Sequence, residues 1–236
     1  MTLVIAHRGA SGHAPENTLP AYELALAQGA DMIEIDLHRT RDGAIVITHD
    51  ENLAGLGGRG EIEDASLAEV RALDAGGGER VPLLAEVLDR FGARIPLNLE
   101  LKHGPRATYP GLPRETLREV EARGLLEVTL FSSFSDVVLV ELRRLSPRAR
   151  IGCLVSPREP SRWLERARAV GACAVHLWSG LATPEAVDIA HAAGLAVNVY
   201  TVDRPDEMRA LIARGVDGIF TNVPDRLRTL LCDGAG

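Results

Sequence analysis

Short apolar runs alternate with amphipathic stretches along nearly the whole chain, and that rhythm constrains the fold more than any other feature. Strand-length runs fall at 3–7, 31–37, 95–102, 127–132, 149–155, 173–177, 195–201 and 217–220. Helical periodicity falls at 17–28, 82–91, 113–123, 135–145, 159–170, 183–193, 205–214 and 224–231. Each strand run is followed by a helical stretch, which implies a parallel sheet, because parallel neighbours need a crossover connection. Eight such units in 236 residues suit a (β/α)8 barrel. A doubly wound open sheet has the same periodicity, so the pattern alone leaves both architectures open. The chain is 46% hydrophobic but only 4% aromatic, so Leu, Val, Ile and Ala must build the core. Its length fits a single domain over 1–236.

Residues 38–81 break the rhythm and read as a small insertion after the second strand of the repeat. Thr40-Arg41-Asp42-Gly43 predicts a hairpin turn, and Ala44–His49 an extra strand folding back. Ser66 predicts the N-cap of a short helix ending near Gly76-Gly77-Gly78. Between them, Gly55-Leu56-Gly57-Gly58-Arg59-Gly60 matches G-x-G-x-x-G by spacing. It does not open a helix directly after a strand, so it reads as a surface turn and not a dinucleotide site.

Composition excludes several function classes. The formal charge is -7 without a basic patch, which argues against nucleic-acid binding. Cys153, Cys173 and Cys232 are far apart and have no zinc-like spacing. They read as two buried free thiols and one near the C-terminus, which suits a reducing compartment. The N-terminal apolar run lacks a basic n-region and reads as a strand, not a signal peptide. No run is long enough to span a bilayer. A cytoplasmic protein is expected.

Chemistry concentrates at the ends of the predicted strands. Strand side chains alternate faces, so Glu34 and Asp36 share one face of the second strand while Ile33, Ile35 and Leu37 share the other. The third repeats the device, with Asn98, Glu100 and Lys102 opposite Leu97, Leu99 and Leu101. The leucine faces should pack under helices and the charged faces line a barrel mouth. Three converging carboxylates repel unless neutralised, and a hard divalent cation takes oxygen ligands. Glu34, Asp36 and Glu100 thus read as a site for one Mg2+ or Ca2+. The alternative is a salt-bridge network with Arg8 and Lys102. His7 and His49 end strands near this cluster and suit acid–base work, since imidazole titrates near neutral pH. His176, at the end of the sixth strand, also lines the expected site. His13 and His38 read as loop residues and His191 as helical. Ser11 and Ser133 lack a nucleophile elbow, which makes a serine hydrolase improbable. Pro15-Glu16-Asn17-Thr18 starts the first helix, with Asn17 or Thr18 as its cap.

Several segments together resemble the glycerophosphodiester phosphodiesterases. They are Ala6-His7-Arg8-Gly9-Ala10, Pro15-Glu16-Asn17-Thr18, Gly29 to Asp36, Thr40-Arg41-Asp42-Gly43 and His49-Asp50. Leu73-Asp74-Ala75-Gly76, Asn98-Leu99-Glu100-Leu101-Lys102, Ser132-Ser133-Phe134, the Ala196–Val202 strand and Asp217 to Asp225 extend the match in order. The resemblance implies a TIM barrel with a small insertion after the second barrel strand. It implies metal ligation by Glu34, Asp36 and Glu100, and an acid–base pair of His7 and His49. Arg8 would contact the phosphate and Lys102 would add positive charge beside the metal. The implied substrate is a small glycerophosphodiester, split into glycerol 3-phosphate and an alcohol by water or by the neighbouring glycerol hydroxyl. The chain departs from the family pattern at Gly55-Leu56-Gly57, where an Arg-Thr-Thr run is usual, at Tyr200 in place of a tryptophan and at Asn222 in place of an aspartate. These positions bear on the outer pocket, and Tyr200 keeps an aromatic face for the glycerol or a choline-like head group. Two further readings are a lysophospholipase D-like enzyme, which needs an apolar groove near the barrel mouth where the insertion supplies only Leu53, Leu56 and Ile62, and a non-catalytic barrel that binds a phosphate ligand.

Overall fold

A computed structural model describes residues 2–104 and 109–233; Met1, 105–108 and 234–236 of the predicted single domain lie outside the described residues. The strands are β1 (Leu3–His7), β2 (Met32–Arg39), β3 (Ile45–Ile47), β4 (Leu97–Leu101), β5 (Leu130–Ser133), β6 (Arg150–Val155), β7 (Ala174–Trp178), β8 (Ala196–Tyr200) and β9 (Gly218–Thr221). Eight of them are parallel, in the order β1-β9-β8-β7-β6-β5-β4-β2, and a β1–β2 pairing closes the sheet into a barrel. Closure decides against the open sheet that periodicity had left possible. The helices are α1 (Leu19–Ala27), α2 (Leu67–Arg71), α3 (Leu84–Phe91), α4 (Leu112–Ala122), α5 (Asp136–Leu145), α6 (Trp163–Ala169), α7 (Pro184–Ala192), α8 (Pro205–Ala213) and α9 (Pro224–Asp233).

Local chemistry places these elements. In α3, Leu84, Val87, Leu88 and Phe91 recur at helical spacing and are buried together. In α7, Thr183 caps the N-terminus by accepting from Ala186 N at 3.2 Å, Pro184 occupies the first turn and His191 the last. The outward faces of the strands join the helices in one large apolar cluster that includes Ile33, Ile35, Leu97, Leu99 and Leu101. Inside the barrel a smaller cluster of Ile5, Met32, Leu130 and Phe220 forms the floor. Above it the interior turns polar. The register sets His7 beside Glu34, Glu34 beside Asn98, and Asp36 beside Glu100. Parallel pairing therefore delivers the ionisable side chains to neighbouring positions at the C-terminal ends of the strands, where barrel enzymes carry their sites.

Between β2 and α3 the chain folds back as expected. Thr40 and Gly43 form the turn, with Gly43 at φ 92, and β3 pairs antiparallel with β2. Val46, Leu53, Ile62, Ala65, Val70 and Val81 make a separate apolar cluster there. Ser66 caps α2 with a reciprocal bond to Glu69. That helix stops at Arg71, short of the glycines, because Asp74 Oδ1 accepts from Gly76 N and Gly78 N and folds the chain into a turn. The glycine-rich segment forms a 3-10 turn over Ala54–Leu56 closed by left-handed Gly57.

Other expectations need correction. His38 is not a loop residue: β2 runs on to Arg39 and His38 is buried within it. The helix predicted over 159–170 begins at Trp163, since Pro160 and left-handed Arg162 hold off the helical geometry. Cys173 is half-buried and Cys232 exposed, leaving only Cys153 fully inside.

Candidate active site

The carboxylates Glu34, Asp36 and Glu100 offer oxygens that all lie within 4.8 Å of one another. Their exposures are only 2%, 1% and 8%, so water does little to screen their repulsion. Burial, reinforced by the charges of Asp36 and Glu100, pushes Glu34 well above the usual carboxylate range. Burial also raises Glu100, against the pull of Lys102. Burial opposes ionisation of Asp36 too, yet Lys102 and Arg8 outweigh it and hold this carboxyl well below its ordinary value. Lys102 Nζ lies 2.8 Å from Asp36 Oδ1 and 2.6 Å from Glu100 Oε1. Arg8 Nε lies 3.1 Å from Asp36 Oδ2, and its Nη1 pairs with Glu16 at 2.9 Å.

One atom decides whether a cation suits this cluster. Glu34 Oε2 accepts from Arg8 N at 3.0 Å, but Glu34 Oε1 is buried with no hydrogen-bond partner among the described residues. A buried carboxylate oxygen without a donor is costly. When all three carboxylates are ionised, as metal ligands must be, the two basic side chains leave the cluster one negative charge in excess. The donor set, all hard oxygens, fits one divalent cation of the Mg2+ or Ca2+ kind.

The backbone at this corner is held under tension. Arg8 has φ 58, uncommon for a residue with a side chain. Its N–H is shared between the main-chain oxygen and Oε2 of Glu34, both at 3.0 Å. Asn17, also left-handed at φ 57, is the one of the two cap candidates that does not cap the helix. Thr18 is the helix cap, accepting from Ala21 N. Asn17 instead donates from Nδ2 to Asp36 Oδ2 at 2.8 Å, and its Oδ1 accepts from Tyr22 OH at 3.1 Å. Two cap-type residues side by side, where one helix start needs only one, left a residue to spare but did not point to its partner.

Both histidines reach the same cavity of about 230 Å3, which Arg8, Glu34, Glu100 and Lys102 also line. His7 Nδ1 is 2.8 Å from Asn222 Oδ1. Burial, then the Arg8 charge, pushes His7 down to about 4. His49 is partly exposed, two residues past β3, with Nδ1 2.7 Å from Asp50 Oδ1. Its main-chain oxygen accepts from His38 Nε2 at 3.1 Å, which leaves His38 Nδ1 to accept from Tyr109 OH at 2.6 Å. His38 thus anchors the loop that carries His49, a role hidden while it read as a loop residue. His176 lies in the cavity wall, fully buried against Phe220, with ring centroids 4.9 Å apart. Space for it exists because β6 offers Gly152, where a Cβ would come within 2.5 Å of His176 Nε2. Tyr200 OH donates to Val155 O at 2.6 Å, and its ring meets Phe134 edge-on at 5.9 Å. All nine predicted site residues therefore border one cluster or cavity. Lys102 is drawn to the carboxylates, paired with both Asp36 and Glu100.

The fold and this site define a (β/α)8 barrel that gathers a buried acidic cluster, whose oxygens could hold a cation, and two histidines at its C-terminal mouth. Residues 7–226 match the glycerophosphoryl diester phosphodiesterase family, and the chain belongs to that family. A glycerophosphodiester phosphodiesterase of Caldanaerobacter subterraneus subsp. tengcongensis is 35% identical over 242 residues, covering 99% of each protein. A phosphodiesterase of Oleispira antarctica, solved with the product sn-glycerol-3-phosphate, superposes with a TM-score of 0.85 at 33% identity, over 97% of this chain and 96% of that one. The glycerophosphodiester phosphodiesterase structure of Agrobacterium tumefaciens str. C58 gives 0.83 at 30% identity, over 97% and 100%. No helix among the described residues is long and apolar enough to cross a membrane.

Proposed function

We propose that this chain is a metal-dependent glycerophosphodiester phosphodiesterase that releases glycerol 3-phosphate and an alcohol, acting as one catalytic domain. The observation that carries the reading is the shared cavity of His7, His49, Glu34 and Glu100 beside the buried carboxylate cluster, in a chain related over its full length to phosphodiesterases. Glu34, Asp36 and Glu100 would hold one Mg2+ or Ca2+. When bound, that ion supplies Lewis acidity toward the phosphate oxygens.

The side chains divide the remaining work. Arg8 and Lys102 add positive charge against the phosphodiester anion and the charge that develops on its oxygens. One histidine takes the proton of the attacking hydroxyl as its oxygen bonds to phosphorus. The other gives a proton to the alkoxide as the bond to the alcohol breaks. Water and diester are thereby converted to monoester and alcohol with no net proton gain by the protein. Each such proton transfer contributes about 10²–10⁴-fold. Asn17 holds Asp36 in position through its amide. Tyr200, with its hydroxyl engaged, offers only its ring to the glycerol or the alcohol. The unpaired cysteines suit a cytoplasmic setting.

The lysophospholipid reading is not favoured. Leu53 and Ile62 are consumed in the apolar cluster beneath residues 40–83, with Leu56 packed against it, and none of them lines the cavity. The non-catalytic reading calls for a lost acid–base residue, and both histidines are present. Purified protein should release glycerol 3-phosphate from glycerophosphocholine or glycerophosphoethanolamine with Mg2+ or Ca2+, and EDTA should stop it. Failure to cleave any glycerophosphodiester with either ion would overturn the proposal.

A further inference from the structure

The two cavity histidines are not equivalent, and the difference lies in what stands behind His7. Asn222 follows β9 and is fastened to Asp203 in the loop between β8 and α8. Its N–H donates to Asp203 Oδ1 at 2.8 Å, and its Nδ2 donates to Asp203 Oδ2 at 2.7 Å. Thr221 Oγ1 donates to the same carboxylate at 3.0 Å. The loop is pinned again by Gly12 N, which donates to Asn222 O at 2.8 Å, and by Arg226 Nη1, which donates to Asp203 O at 2.7 Å. A carboxylate can only accept, so the amide must turn its NH2 toward Asp203. A flipped amide would set oxygen against oxygen.

That constraint passes to the catalytic ring. With Nδ2 committed, Asn222 Oδ1 faces His7 Nδ1 at 2.8 Å, and Ser11 Oγ also lies 2.8 Å from it. An amide oxygen has no proton to give, so His7 must carry its hydrogen on Nδ1. In the neutral ring, Nε2 is then the nitrogen with the lone pair. We propose that Asp203 and Asn222 are positioning residues that hold His7 in its Nδ1–H tautomer, so that His7 Nε2 is the proton acceptor of the reaction. By elimination His49 is the proton donor. The assignment rests on the hydrolytic role proposed above, while the tautomer itself is a property of the resting protein.

The test separates the two. Ring-nitrogen NMR of the 15N-histidine-labelled full chain, with the His7 signals identified by their loss in His7→Gln, reads the tautomer without substrate. The wild type should show a pyrrole-type Nδ1 and a pyridine-type Nε2 for His7. Asn222→Leu should move the proton largely to Nε2 and lower kcat by about 100-fold, within the range of a single acid–base contribution, with KM changed less than about threefold. Asp203→Asn, which frees the amide to flip, should give both tautomers, and it carries the same test if Asn222→Leu does not fold. The exchange Asp203→Asn with Asn222→Asp restores one amide and one acceptor in reversed order. It should return the Nδ1–H form and most of the turnover. A wild-type His7 protonated on Nε2, or an Asn222→Leu protein with unchanged tautomer and turnover, would overturn the inference. Tautomers as expected in a protein that cleaves no glycerophosphodiester would support the orienting role and sink the substrate assignment instead.

Discussion

The two halves of the barrel mouth solve opposite problems. On the β1, β2 and β4 side, ionisable groups are crowded together: Glu34, Asp36 and Glu100 are buried, and Arg8 and Lys102 reach into them. On the β6 to β9 side, the residues facing the interior are uncharged. Fully buried His176 lies next to Phe220, Asn198 sits over Gly218, and Tyr200 ties its hydroxyl to Val155. Burial raises the energy of charge on both sides, but only the acidic side retains charges, by pairing them. On the other side burial suppresses charge altogether and pushes His176 down to about 3. The mouth is polarised, with one wall suited to a cation and a phosphate and the other to a neutral glycerol or alcohol.

The sharpest way to break this contrast is to neutralise the acidic wall. Glu34→Gln removes an oxygen donor and a buried like charge. Activity should fall by about 10³-fold or more, as expected when both the cation and its electrostatic effect are lost. The metal-free variant should nonetheless melt at a higher temperature than the metal-free wild type, because a buried repulsion is gone. A variant that keeps wild-type turnover would remove Glu34 from the site.

Asn17→Ala should act on the same wall at one remove. Losing the amide that orients Asp36 should weaken Mg2+ or Ca2+ binding by about 10–100-fold, the usual cost of a partner behind a metal ligand. Isothermal titration of both proteins measures it, and unchanged affinity would reduce Asn17 to a turn residue.

The uncharged wall is probed by pH. His176 stays neutral in the folded protein down to about 3, whereas the unfolded chain protonates it near 6.5. Between those values the unfolded state binds the extra proton, so stability falls as pH drops from about 6.5 toward 3 and is fully present above 6.5. The contribution of this one ring is about 1.4 kcal/mol per pH unit inside the window. His176→Leu should flatten the pH dependence of unfolding by about that slope while His38, pushed down to about 4, continues to contribute. Parallel slopes for the two proteins would mean that His176 takes up its proton in the folded state as readily as in the unfolded one.

Tyr200→Phe should have the smallest effect. It strands the Val155 carbonyl and should cost about 1 kcal/mol in stability. The ring that faces the cavity is kept, so the preference among glycerophosphodiesters should not move. A changed preference would mean that the hydroxyl, and not the ring, reads the alcohol.

What was legible in the sequence follows the same division. Alternation of side chains along a strand is a local rule, so the shared face of Glu34 and Asp36, and that of Asn98, Glu100 and Lys102, could be read directly. Periodicity likewise yielded every barrel strand, with ends shifted by a few residues where hydrogen bonding stops. The positioning layer was not legible, because its contacts cross the chain. Asn17 reaches Asp36, His38 reaches the main chain of His49 and Tyr109, and Asn222 reaches His7 from 215 residues away. Closure of the barrel is a non-local fact as well, since it depends on the β1–β2 pairing. Asn222 was noticed only as a departure from a family pattern, and its partner Asp203 carried no signal at all.

If the carboxylate cluster holds the cation while the histidines move protons, the two are separable parts of one mouth. Calorimetric titration of Mg2+ or Ca2+ into EDTA-stripped wild type, His49→Ala and Glu100→Gln tests it most directly. One ion should bind per chain in the wild type, with nearly the same affinity in a turnover-deficient His49→Ala, and binding should be lost in Glu100→Gln. Cation binding that survives Glu100→Gln but disappears with His49 would place the ion on the histidine and not on the carboxylates.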